Sequence, residues 1–124
     1  MASSYRDLDV YKRSYRLAIQ VHELSLRFLK GIQYDLGDQI RRASRSIPSN
    51  LAEGMGKLST NKEKASFVRN ALGSNDEVLL NLEFMKDSSL LPKEDYDNLT
   101  REYTICGKQL YCLLQSLNKP ATSG

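Results

Sequence analysis

The residues of this chain that could do chemistry are few, and most of them fall in one stretch. Arg41 to Lys57 reads RRASRSIPSNLAEGMGK, with three arginines, a carboxylate and paired glycines. Arg41, Arg42, Arg45 and Lys57, continued by Lys62 and Lys64, form a cationic run. Such a run suits phosphate, whose contacts give sequence-independent, salt-sensitive affinity. Glu53 and Glu77 could be taken for a general acid–base pair, but both stand in arginine-rich and amide-rich stripes. Those surroundings would keep both as carboxylates instead of dividing them into an acid and a base. The single histidine, His22, falls at a helical seam position with no serine–aspartate set placed beside it by the pattern, so a hydrolytic triad has no foundation. Gly54 and Gly56 in EGMGK lack the strand-to-helix setting and the Gly-Lys-Ser/Thr ending of a phosphate loop. Catalytic residues, metal and cofactor are therefore all expected to be absent, and binding is the class these residues support.

Cys106 and Cys112 lie six residues apart on one helical segment, where their side chains point in different directions and cannot bridge each other. Free thiols fit a reducing compartment. No Cys/His set has metal-ligand spacing. No apolar run approaches the roughly 20 residues of a membrane span, and MASSYRDLDV has no apolar stretch behind its charges. A cytoplasmic protein with no membrane partner is the expectation. Hydrophobic residues make up 40% and charged residues 27% of the 124, values that fit a single globular domain over residues 1–124. The net charge of +3 is unevenly spread, with seven cations against two acids in residues 41–69 and three against eight in residues 76–102. That asymmetry can steer an anionic partner or neutralise neighbouring helices and subunits.

Four helices must position these residues. Tyr96, Leu99, Tyr103, Cys106, Leu110 and Leu113 recur at alternating steps of 3 and 4, which predicts a helix over about 92–118 with a coiled-coil-like seam. Thr60-Asn61-Lys62-Glu63 is a capping box opening a helix over about 60–89. Gly73 interrupts that helix at a cost of about 1 kcal/mol relative to alanine, so a close backbone approach is expected there. A first helix over about 8–29 carries one seam through Leu17, Val21, Leu24 and Phe28 and a second through Leu8, Tyr11, Tyr15, Ala18 and His22. The combined arc exceeds what one core face uses, and part of it is expected to face another subunit. After a loop between Gly31 and Gly37, a second helix over about 37–55 turns Ile40, Ala43, Ile47, Leu51 and Gly54 inward. Strand signals are lacking. The fold class is all-α, an up-down-up-down four-helix bundle.

Beside these apolar faces runs a polar seam. Ser46, Asn50 and Glu53 follow Arg42 at helical steps, and Ser74 and Glu77 follow Asn70 on the third helix. Folding the two helices about residue 57 brings Arg41 and Arg42 level with Ser74 and within a turn of Glu77, so a half-buried Arg–Glu pair is expected to fix their register. Pro48 removes the bond to the Ser44 carbonyl, which predicts a kink there with the Ser44 and Ser46 hydroxyls near the freed oxygen.

RRASRSIPSNLAEGMGK, FVRNALGSNDEV at Phe67 to Val78 and the opening YRDLDVYKRSYRLA together resemble the four-helix-bundle proteins named after intervening sequences in bacterial 23S ribosomal RNA genes. The likeness runs over about residues 5 to 118 and includes Arg41, Arg42, Ser46, Ile47, Pro48, Asn50, Ala52, Glu53, Gly54, Gly73, Ser74 and Glu77. It implies a homopentameric ring of four-helix protomers. A related branch serves as accessory protein to the reverse transcriptase of diversity-generating retroelements and binds nucleic acid through a basic surface. Two readings follow from residues and resemblance together. One is a non-enzymatic oligomer that binds RNA or DNA, connected with 23S rRNA intervening sequences. The other is a protein-interaction adaptor such as a reverse-transcriptase accessory subunit. Tyr5, Arg6, Tyr11, Lys12, Arg13, Tyr15 and Arg16 could stack bases, but Tyr11 and Tyr15 share the packing face, which leaves Arg13 and Arg16 solvated.

Overall fold

Apolar residues at helical spacing pair with the caps that start and stop each run. A computed structural model describes residues 4–28, 30–56 and 59–119. Its long helices are α1 (Asp9–Ser25), α2 (Asp38–Met55), α3 (Asn61–Asp87) and α4 (Lys93–Asn118). Among the described residues there are four such helices and no strand.

A single 3-10 turn, Tyr5–Asp7, leads into α1 and is capped by Ser4, whose hydroxyl accepts from the Arg6 N–H at 3.0 Å. α1 closes at Ser25, short of the expected end near residue 29, because Leu26 to Phe28 tighten into turns in which Arg27 N–H reaches Leu24 O and Phe28 N–H reaches Ser25 O. The segment expected as a loop is helical instead. Lys30–Ile32 forms one α turn and Gln33–Gly37 one π turn running directly into α2. Gly37 is tightly enclosed there, with the Phe28 ring and the Arg41 guanidinium within contact distance of where a Cβ would stand.

α3 opens on the expected capping box. The Thr60 hydroxyl accepts from Glu63 N–H at 3.1 Å and the Glu63 carboxylate from Thr60 N–H at 2.9 Å. It ends at Asp87, where Ser88 caps it and Ser89 takes a left-handed backbone, φ 60°. Pro92 then stands at the N-cap of α4, with Glu94 and Asp95 in its first turn complementing the positive helix end.

α2 packs along both α1 and α3, and α4 along both α3 and α1, so the helices form a closed square. Leu17 and Val21, Ile47 and Leu51, Leu82, and Tyr103 with Leu110 fill its centre with 1% exposure or less. Each contributes about 1.5–3 kcal/mol by leaving water. α2 and α3 approach closely at Gly54, where a Cβ would come within 2.5 Å of Phe67 Cβ. Gly73, expected to serve that purpose, has open space around it. No helix among the described residues is long and apolar enough to cross a membrane.

Candidate nucleic-acid interface

The cationic run divides into residues committed to the fold and residues facing water. Arg41 belongs to the first group. Its side chain is 17% exposed, its Nη1 donates to Ser25 Oγ at 2.7 Å, and its Nη2 lies 3.9 Å from Asp38. Arg42 is 74% exposed and pairs with Asp38, one turn back on its own helix, at 3.1 Å. Arg45 is exposed, donates from Nε to the Arg41 carbonyl at 3.3 Å, and borders a groove between α1 and α2. Lys57 lies outside the described residues. Lys62 is exposed and Lys64 half-buried in the first turns of α3.

Arg69 joins them, although no motif singled it out. It is exposed and stands seven residues after Lys62, hence on the same face of α3. That spacing was the available signal. Glu63, which stands between Lys62 and Lys64 in the sequence, is turned back onto the Thr60 N–H, a bond that holds its carboxyl below the usual carboxylate range. Lys62, Lys64 and Arg69 have no acid partner among the described residues.

The polar seam forms without its carboxylates. Ser74 Oγ donates to Ser46 Oγ at 2.8 Å, and Asn50 Nδ2 donates to Ser46 Oγ at 3.0 Å and to the Ser46 carbonyl at 2.8 Å. Glu53 and Glu77 are exposed, and Glu77 contributes only its backbone carbonyl to a separate bond, accepting from Asn81 Nδ2 one turn on along the same helix. The expected Arg42–Glu77 pair is absent. Ser74 faces α2, but three residues on, Glu77 is rotated out toward solvent, while Asp38 offers Arg42 a carboxylate at the favourable i,i+4 spacing. At Pro48, α2 continues as helix. The serine hydroxyls do not serve the Ser44 carbonyl as expected: Ser44 Oγ donates to the Arg41 carbonyl at 3.0 Å and Ser46 Oγ is engaged with Ser74.

Arg13 and Arg16, expected to be solvated, both bind Glu102 and so tie α1 to α4. Asn75 is likewise a cross-helix residue without a sequence signature: buried on α3, it donates to the Tyr103 carbonyl at 3.0 Å. Tyr5 on the 3-10 turn and Tyr11 and Tyr15 on α1 form a ladder, with successive ring centroids 4.9 and 5.9 Å apart, and Tyr15 is exposed where it lines the α1–α2 groove. His22 also lines that groove. Cys106 is buried, and burial pushes its thiol up to about 12, so it stays protonated and unreactive at neutral pH. Burial raises Tyr103 as well. No group of three or more His, Cys, Asp or Glu among the described residues could hold a metal ion.

Comparison with known proteins places this arrangement in a family. No curated protein matches the chain. Among solved structures, one similar to it is a protein of unknown function from the S23 ribosomal protein family of Bacteroides thetaiotaomicron. It has a TM-score of 0.79 at 20% identity, over 86% of this chain and 95% of that one. At that identity the likeness establishes the shared four-helix fold. A profile described as "23S rRNA-intervening sequence protein" matches residues 6–112, which include both the polar seam and the cationic face of α3. The chain belongs to the 23S rRNA-intervening sequence protein family.

Proposed function

We propose that this protein is a non-enzymatic, oligomeric binder of nucleic acid, RNA or DNA, which it engages through cations at the start of α3. One observation carries the reading: Lys62, Lys64 and Arg69 lie without acid partners among the described residues, while the nearby Glu63 is occupied by the backbone. The family's link with 23S rRNA intervening sequences makes ribosomal RNA the first ligand to try. Five subunits in a ring, as the family resemblance implies, would repeat this patch around the assembly and multiply its field.

Titration of a labelled RNA hairpin and a DNA duplex at two salt concentrations tests it. Affinity is expected to fall steeply with salt, and Lys62→Gln with Arg69→Gln is expected to reduce the log–log salt slope by about two. No association at low ionic strength removes the proposal.

A second reading, an adaptor for a protein partner such as a reverse transcriptase, is supported by Tyr34, which presents an exposed ring on the π turn before α2. Co-purification with such a partner after nuclease treatment, abolished by Tyr34→Ala, would favour it.

A further inference from the structure

A groove of about 490 Å³ lies between α3 and α4, within the range of about 300–1,000 Å³ that small-ligand clefts occupy. Leu72 and Leu79 on α3 and Tyr111 on α4 give it apolar walls, and the Tyr111 ring is half exposed. Gly107, also in the lining, lets α4 pass close to Asn75, since a Cβ there would stand 3.0 Å from Asn75 Nδ2. Asn75 lines the groove too and is 1% exposed. Its Nδ2 donates to the Tyr103 carbonyl at 3.0 Å, which fixes the amide, because a carbonyl can only accept. Asn75 Oδ1 is left as a buried acceptor with no partner among the described residues. Burial without a partner is costly for an amide oxygen, and an N–H donor is what it lacks.

The charges around the groove sort by position. Asp76 lines it, is exposed, and has no cation partner among the described residues, so it is a second free acceptor beside Asn75. Cations flank it on both helices. Arg69 stands three residues before Leu72 and seven before Asp76, so the cationic face of α3 leads onto one wall. Lys108 lines the other wall, on α4, exposed and without an acid partner among the described residues.

We propose that the groove between α3 and α4 receives an unpaired base of a bound single strand, stacked on Tyr111 with its N–H edge toward Asn75 Oδ1 and Asp76, while Arg69 and Lys108 hold the flanking phosphates. A phosphate does not suit the groove itself, because Asp76 repels it and the leucine walls cannot solvate it. A base within a duplex does not suit it either, because its faces are stacked and its N–H edge is paired until it is extruded. The site rests on the nucleic-acid reading proposed above and adds a preference for single strands, which phosphate contacts at the start of α3 do not supply by themselves.

Cys112 reports on the groove directly, because it lines it and is exposed, whereas Cys106 is buried. Its labelling by a thiol reagent is followed in native protein alone and with four ligands: a single-stranded oligonucleotide, an abasic strand of equal length, a duplex, and a mononucleotide. The single strand, at about ten times its dissociation constant, is expected to slow labelling about tenfold. The abasic strand and the duplex are expected to bind the cations and leave the rate near that of free protein. Equal protection by either, or a bound single strand that gives none, overturns the base site while the nucleic-acid reading stands. Protection by the mononucleotide as strong as that by the strand assigns the groove to a free nucleotide and likewise overturns it. If no strand binds at low ionic strength, the nucleic-acid reading falls first and the site with it. Tyr111→Ala, with circular dichroism to check folding, is expected to weaken single-strand binding about tenfold at an unchanged salt slope, and wild-type affinity in that variant also overturns the site. Lys108→Gln is expected to lower the slope by about 0.7. Should Tyr111→Ala lose its helical signal, the labelling of wild type decides alone.

Discussion

Arg41 Nη1 donates to Ser25 Oγ at 2.7 Å, and the same hydroxyl donates onward to the His22 carbonyl at 2.7 Å, so one guanidinium fastens the start of α2 to the end of α1. Its neighbour Arg42 points outward and holds only Asp38. The two adjacent arginines thus have different roles. Arg41→Ala removes charge-assisted bonds from a mostly buried site and is expected to cost about 1.5–3 kcal/mol. Arg42→Ala breaks an exposed pair and is expected to change stability by about 0.5 kcal/mol or less. Urea unfolding of both variants checks this, and equal losses would show that the exposed pair matters as much as the buried contact.

The glycines of α2 and α3 give a second comparison. A Cβ at Gly54 would meet Phe67 Cβ at 2.5 Å, whereas one at Gly73 would meet nothing within 4 Å. Gly54→Ala must push α2 away from α3 and is expected to destabilise by about 1–3 kcal/mol, the usual cost of overpacking. Gly73→Ala is expected to stabilise by about 1 kcal/mol through helix propensity. Thermal melts of the two variants should move in opposite directions.

Those two glycines also show what the sequence made legible. Both interrupt a helical pattern, and pattern alone does not reveal which one touches a neighbouring helix. The core of α4 and the capping box of α3 could be read directly, because a 3–4 repeat and a Thr-x-x-Glu spacing are local signals. Register between helices is not local. Folding about residue 57 set Arg42 near Ser74, but the observed Ser46–Ser74 bond shifts the pairing by about a turn. The carboxylate that meets Arg42 comes from its own helix. The Glu102 clasp on Arg13 and Arg16 was hidden for the same reason, since its partners are 86 and 89 residues apart in sequence. The second seam of α1 was visible as surplus apolar arc, and the structure leaves Tyr15 and His22 of that face exposed to water.

Acid should loosen the start of α3. The bond from Thr60 N–H holds the Glu63 carboxyl below its ordinary value of 4.5 in the folded chain. A depressed carboxylate contributes stability that is present above the unfolded value and is lost as pH falls through the folded one. Glu63→Gln keeps an acceptor for the cap but does not titrate. Wild type is therefore expected to lose stability relative to Glu63→Gln as pH drops below 4.5, while Thr60→Ala loses about 1 kcal/mol at neutral pH. Parallel melting curves for wild type and Glu63→Gln down to pH 3 would sink this account of the cap.

Cys106 and Cys112 sit on one helix in opposite environments. Cys106 is sealed in the core, where burial pushes its thiol up to about 12, while Cys112 is exposed. Thiolate is the reactive form, so Cys106 is both unreachable and unionised at neutral pH. Native protein at pH 8 is expected to take up one equivalent of thiol reagent per chain, and the unfolded chain two. Cys112→Ser is expected to abolish the fast reaction and leave Cys106 labelling at the rate of global unfolding, so that stabilising the bundle by Gly73→Ala slows it further. Rapid labelling of Cys106 in folded Cys112→Ser would mean that α4 opens locally, and that its inner seam is far less secure than the full burial of Tyr103 and Leu110 indicates.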